Sequence, residues 1–318
     1  MIASRWLRTT ALGFTLFTAS ASSAFAADKL TVLLDWFVNP DHGPLIVADQ
    51  LGYFRDANLD VKLIAPSDPN DPPKLVAAGK ADIAVSYQPQ LHIQVAAGLP
   101  LVRIGTLVAT PLNSLVVLRD GPIKTIADLK GKKIGFSVGG FEDALLAAML
   151  ARHGLQPSDV TMINVNFSLS PSLVSGQVDA VIGAFRNFEL NQMDIINKPG
   201  RAFFVEEEGV PAYDELILVA NRADLAKPSL RRFVNAIERA TQYMVNHPDD
   251  AWKRFIASDK KLDDELNRRA WRDTLPRFAL RPGALDRTRY NRFAKWLAER
   301  GMVKKTPPLD SYAVELAQ

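Results

Sequence analysis

Residues able to do chemistry cluster first in Asp35-Trp36-Phe37-Val38-Asn39-Pro40-Asp41-His42-Gly43-Pro44. The stretch offers an indole that can stack, an amide with donors and an acceptor, and a carboxylate beside an imidazole. The apolar run Leu30 to Leu34 before it reads as a buried strand. The Asn39-Pro40 and Gly43-Pro44 steps then break the chain ahead of a helical stretch from Pro44 to Leu51. In open α/β sheets ligands bind outside the carboxyl ends of strands, so Trp36, Asn39 and His42 form half of a pocket for a small planar molecule. The same residues also have a plainer use, Trp36 as a core aromatic and Asn39 or Asp41 as a helix cap. Taken alone, the loop fits both uses.

Two further polar places follow strand candidates. Ser86-Tyr87-Gln88 comes directly after Ile83–Val85, where a ligand loop or a self-satisfied turn would emerge. Ser137-Val138-Gly139-Gly140-Phe141 precedes a helix starting at Glu142, so the backbone N–H groups of Ser137 and Gly139 either receive a polar ligand group or simply open the helix. His92 falls inside a helical stretch and reads as structural. The four histidines show no metal-ligand spacing, and no Gly-x-Ser-x-Gly elbow occurs. No catalytic residue, metal or cofactor is therefore expected.

These candidates need elements to position them, and an address. Met1 to Arg8 is basic, Ala11 to Ala19 is mostly apolar, and Ala24-Phe25-Ala26 precedes Asp28-Lys29, which is the pattern of a secretory signal peptide cut after Ala26. Removing those 26 residues from 318 leaves 292 and lowers the formal charge from +3 to +1, because only Arg5 and Arg8 are lost. Neither nucleic acid nor an anionic membrane is implied as a partner. The chain has no cysteine, which excludes disulfides, thiolate chemistry and a lipid anchor on cysteine. A monomeric periplasmic protein fits, of a size at which one core divides into two.

Through the first two-thirds, short apolar strands alternate with helical stretches: Leu30–Leu34, Val61–Ala65, Ile83–Val85, Leu101–Leu107, Leu115–Leu118, Lys133–Ser137, Thr161–Val165, Ala180–Phe185, Ala202–Val205 and Glu215–Ala220. The alternation argues for parallel sheets covered by helices. Leu75-Val76-Ala77-Ala78-Gly79-Lys80-Ala81-Asp82 has a counterpart in Leu173-Val174-Ser175-Gly176-Gln177-Val178-Asp179, each followed by an apolar strand, which suggests one supersecondary unit used in two similar lobes. From Leu225 onwards the apolar spacing turns helical. Trp252, Trp271 and Trp296 read there as core residues with charged neighbours facing solvent.

Taken together, Trp36 to Pro44, Gly52-Tyr53-Phe54, Gly79-Lys80-Ala81-Asp82, Leu129-Lys130-Gly131-Lys132-Lys133-Ile134-Gly135 and Gly183-Ala184-Phe185-Arg186-Asn187-Phe188-Glu189 resemble the thiamine-pyrimidine-precursor group of ABC-importer substrate-binding proteins. The likeness runs through essentially the whole mature chain, though the Gly-Lys-Ala-Asp and Leu-Lys-Gly-Lys-Lys-Ile-Gly runs are shared with sulfonate, taurine and nitrate binders. It implies a type II periplasmic-binding-protein fold of two α/β lobes with a ligand cleft between them. Residues 27–112 and 217–318 would form lobe one and residues 113–216 lobe two, with hinges near Pro111-Leu112-Asn113 and Pro211-Ala212-Tyr213. The partners implied are a small-molecule pyrimidine and an importer permease. In that group an aromatic residue four positions before a glutamate faces the pyrimidine. Phe185 would thus cover the ring opposite Trp36, and Glu189 would hold its amine, on a shared helical face if a helix begins there. Members commonly carry tyrosine where this chain has Phe185, so one hydroxyl contact is missing.

Two other functions compete. A eukaryotic thiamine-pyrimidine synthase shares this patterning, but no clear counterpart of its cofactor-bearing lysine stands near the cleft loops, and its cysteine-rich iron motif has no equivalent in a chain without cysteine. An oxyanion binder would want arginine or converging N–H donors, whereas the candidates here are aromatics and carboxylates. Arg186 facing inward would reverse that argument.

Overall fold

Among the described residues, ten short runs of mainly aliphatic and aromatic residues form ten strands, sorted into two sheets. The computed structural model describes residues 26–316. The expected signal peptide falls almost wholly on residues 1–25, which lie outside the described residues. The strands are β1 (Asp28–Leu33), β2 (Leu59–Ile64), β3 (Ile83–Ser86), β4 (Leu101–Val108), β5 (Asn113–Leu118), β6 (Lys133–Phe136), β7 (Thr161–Asn164), β8 (Ala180–Phe185), β9 (Gly200–Phe204) and β10 (Leu216–Asn221). One sheet has the order β2-β1-β3-β10-β4 and the other β7-β6-β8-β5-β9. Each expected strand is found, displaced by at most a few residues at its ends, as is usual for strand boundaries read from sequence.

The expectation of parallel sheets needs correction, because both sheets are mixed. β1 is parallel to β2 and β3, but β10 runs antiparallel to β3 and β4. Likewise β6 is parallel to β7 and β8, whereas β5 is antiparallel to β8 and β9. The exceptions have one cause. β5 and β10 are the strands that arrive from the other sheet, so they start at the cleft end where their parallel-running neighbours finish.

The repeated unit has the same hydrogen bonds in both lobes. Asp82 accepts from the Thr31 N–H at 2.8 Å and Asp179 from the Lys133 N–H at 2.9 Å. Each aspartate therefore fixes the start of its own strand (β3 or β8) against a central parallel neighbour (β1 or β6). The helix Pro228–Asn246 buries Leu230, Phe233, Ile237, Ala240 and Met244 on one face, with the Phe233 ring stacked on Phe54 at 5.3 Å. Full burial of such an aromatic contributes about 1.5–3 kcal/mol. The same helix backs the loop that begins at Asp35. A Cβ on Gly43 would lie 2.7 Å from the Met244 methyl and 3.1 Å from the Trp271 ring, so a larger residue there would have to displace the ends of those side chains. Trp271 and Trp296 are buried, as expected.

Candidate functional site

The cleft between the sheets narrows to a pocket of about 30 Å³ walled by loops of both lobes. Asp35, Trp36, Asn39, Asp41 and Tyr87 line it from the first sheet's loops, and Val138, Glu142, Gly183, Phe185, Phe188 and Glu189 from the second's. All the first group follow β1 or β3, so the loops leave the carboxyl ends of strands, where α/β sheets bind ligands.

Asn39 turns the chain after β1. Its side-chain oxygen accepts from the Asp41 N–H at 2.8 Å, and its amide nitrogen donates to the Phe37 carbonyl at 3.1 Å. His42 is buried behind this turn and does not border the cavity. Its Nδ1 accepts from the Asn39 N–H at 3.3 Å, so Nε2 carries the proton and donates to Asp35 at 2.8 Å. Asp35 also accepts from the Tyr87 hydroxyl at 2.9 Å. Burial, with the Asp35 carboxylate alongside, pushes the Tyr87 phenol well above its ordinary value, so it stays a donor. His42 is thus an orienting residue, at one remove from any ligand.

Glu189 is the first residue of the helix Glu189–Ile195, and its carboxyl group accepts from the Phe185 N–H at 2.7 Å. The link between Phe185 and Glu189 is therefore a turn that joins the end of β8 to a helix start, where a shared helical face was expected. Burial drives the Glu189 carboxyl up to about 8. Phe185 is edge-on to Tyr87 at 6.4 Å, while Trp36 meets Phe167 at 4.6 Å and Phe37 at 5.6 Å. Asp41 accepts from Asn187 at 2.6 Å and from the Thr274 hydroxyl at 2.9 Å. Its other oxygen is buried without a partner, and burial raises this carboxyl to about 6.

The loop before Glu142 departs from expectation. Ser137 and Gly139 do not line the cavity, and their N–H groups are already engaged. The Ser137 N–H donates to Glu142 at 2.8 Å and the Gly139 N–H to Asn70 at 3.0 Å, while the Ser137 hydroxyl donates to the Asn166 carbonyl. The donors expected to receive a polar ligand group hold this chain's own side chains. Arg186 also turns away from the cavity. It forms a two-pronged pair with Glu206 at 2.7 and 2.8 Å and lies over the Phe204 ring.

The structure thus gathers Trp36, Asn39, Tyr87, Phe185 and Glu189 around one cavity and leaves His42, Ser137 and Gly139 behind its wall. Sequence reasoning passed over Asp35, Asp41, Glu142, Gly183 and Phe188 as site residues. The two aspartates stood in the loop already singled out, whereas Glu142 carried no signal beyond that of an ordinary first-turn acid. Among the described residues no lysine or arginine lines the cavity. Among the described residues no group of three or more histidines and acids is placed to hold a metal ion.

Two mixed sheets of this order, with a cleft between them, define the periplasmic-binding-protein class of fold. Within that class the chain belongs to the NMT1/THI5-like family, whose pattern matches residues 39–251. It is 54% identical over 294 residues to a Haemophilus influenzae protein named for thiamine biosynthesis, covering 92% of this chain and 94% of the relative. It is 34% identical to the formylaminopyrimidine-binding protein of Halalkalibacterium halodurans, covering 79% and 75% of the two chains. At 28% identity it is similar to a Candida albicans 4-amino-5-hydroxymethyl-2-methylpyrimidine phosphate synthase, covering 76% and 75%. Among solved structures, the alkanesulfonate-binding protein of Xanthomonas axonopodis pv. citri superposes with a TM-score of 0.69 at 17% identity, covering 92% and 98%, which speaks to the fold alone.

Proposed function

We propose that this chain is the periplasmic solute-binding component of an ABC importer, and that its cleft takes an aminopyrimidine of the thiamine-precursor kind, such as formylaminopyrimidine or hydroxymethylpyrimidine. One observation carries the reading. Aromatic rings and carboxyl oxygens share the cavity wall without any basic side chain. A flat ring bearing an amino group suits that wall, with its faces on Trp36 and Phe185 and its N–H donors on Glu189. Asn39, with an amide hydrogen to spare, and Tyr87 supply a secondary polar contact. The name of the Halalkalibacterium relative supports the same ligand class.

A sulfonate, taurine or nitrate ligand is disfavoured, because an oxyanion would meet Asp35, Asp41, Glu142 and Glu189 with no cation among them. A synthase reaction like that named for the fungal relatives is disfavoured too. No lysine is at hand for a Schiff base, and the chain has no cysteine. The protein would act as a cofactor-free monomer after cleavage behind Ala26. Its lobes would be residues 27–112 with 217–318, and 113–216, and it would deliver its ligand to a membrane permease.

Calorimetry or native mass spectrometry of the exported protein against formylaminopyrimidine, hydroxymethylpyrimidine, thiamine, taurine and riboflavin tests the reading. Binding of a precursor pyrimidine in preference to taurine is expected. Capture of taurine with neither precursor bound would overturn it.

A further inference from the structure

Glu142 opens the helix Glu142–Arg152, yet it is buried and its carboxyl group lines the cavity. One oxygen accepts from the Ser137 N–H at 2.8 Å and the Val138 N–H at 3.1 Å. The other faces β8 at Gly183, where a Cβ would stand 2.4 Å from it. Gly183 has φ +99° and is the extra residue of a bulge, since Ser114 pairs with Ala184 and Leu115 with Ile182. Bulges beside binding sites redirect the chain locally. Here the bulge and the missing side chain together make room for a carboxyl group. Helix capping alone does not account for this, because a capping acid serves at the surface and avoids the heavy cost of desolvating a carboxylate.

We infer that Glu142 is a second ligand-reading carboxyl group of the cleft, and that it receives a protonated amine borne on the side arm of the pyrimidine. The inference rests on the reading of the cavity as a pyrimidine site. Glu142 lies against Gly183, and Glu189 takes the N–H of Phe185, two residues further along β8. Their anchor points are therefore about 7 Å apart along the strand. Two nitrogen donors on neighbouring ring positions, each held from its own side, fill a gap of that size. The charge agrees, because four carboxyl groups and no cation border the space and a cationic arm gains most where water is excluded. Burial, reinforced by the nearby charges of Glu215 and Asp143, lifts the Glu142 carboxyl to about 8 in the free protein, so an ammonium group binding there would favour the carboxylate and release its proton.

The test compares two probes on the same 4-amino-2-methylpyrimidine ring, one with an aminomethyl and one with a hydroxymethyl arm, by calorimetry on the exported protein. The wild type is expected to prefer the aminomethyl compound by at least about tenfold, the scale of a hydrogen bond to a charged partner. Glu142→Gln should bring that ratio near unity, and Glu142→Asp should retain most of it. Glu189→Gln should weaken both probes. Equal affinities for the two probes in the wild type would overturn the inference without recourse to any variant. So would a Glu142→Gln protein that loses both probes in equal measure, since that is the behaviour of a residue that merely holds its loop. If the wild type binds neither probe, the pyrimidine reading itself fails and takes this inference with it.

Discussion

Glu189 and Trp36 carry the sharpest expectations at the scale of single residues. Glu189→Gln exchanges an acceptor oxygen for a donor at constant shape, so affinity for the aminopyrimidine should fall by roughly 1.5–3 kcal/mol, read by calorimetry. Trp36→Ala removes a ring face and should cost binding about 0.5–1.5 kcal/mol from stacking alone. Because Trp36 is only half-buried, its replacement should cost folding less than the ~3–5 kcal/mol typical of a core tryptophan. The raised carboxyls add a pH dependence. Glu142 and Glu189 stand at about 8, Glu215 at about 7 and Asp41 at about 6 in the folded chain, all because of burial. Their unfolded values lie near 4, so between about pH 4.5 and 8 the folded state binds more protons and stability falls as pH rises. Thermal unfolding of ligand-free protein should show a higher midpoint at pH 5 than at pH 8, with a shallower decline in Glu142→Gln. A midpoint that climbs over this range would refute the assignment. Trp36, Asn39 and Tyr87 were legible because they follow strand ends in sequence. Glu142 was not, because its position depends on a bulge in β8 some forty residues onward, and no local pattern announces a bulge.

At the scale of elements, every strand could be read from apolar runs punctuated by glycine and polar residues, but strand direction could not. Direction depends on which sheet a strand joins, and β5 and β10 join the sheet opposite to the one that precedes them. The helix-Gly-Asp-strand unit was legible twice over, since the same spacing places Asp82 and Asp179 on equivalent N–H groups. Removing either acceptor strands a backbone donor at the start of a parallel pair. Asp82, half-buried, should cost about 1–1.5 kcal/mol when changed to Ala, and the exposed Asp179 less than about 1 kcal/mol, because water replaces its bond more easily. Urea unfolding of the two variants measures both. An Asp179 loss larger than that at Asp82 would contradict the burial argument.

At the scale of the whole molecule, the two sheets meet through few direct ties. Asn70 gives a hydrogen bond to the Ser137 carbonyl and takes one from the Gly139 N–H at one rim. Asn187 bonds to Asp41 and Thr274, and Asn191 to Asp273, at the other. Phe37 on Phe188 and Tyr87 on Phe141 add ring contacts. A ligand touching both walls favours the closed arrangement and shifts the population towards it. Small-angle scattering should therefore show contraction when the protein is saturated with a precursor pyrimidine. Asn187→Ala should expand the free protein and weaken binding. An unchanged radius on ligand saturation would exclude closure about the crossing segments.

Those segments, residues 109–112 and 205–215, lie outside both hydrogen-bonded ladders. Glu215 clasps one to the other by accepting from the Leu112 and Asn113 N–H groups at 2.6 and 2.9 Å. If the lobes close on a ligand, torsion about that clasp would swing the sheets like the jaws of tweezers without breaking a rung of either ladder, and the grip on a cargo could then be tuned at the rims while each jaw stays rigid.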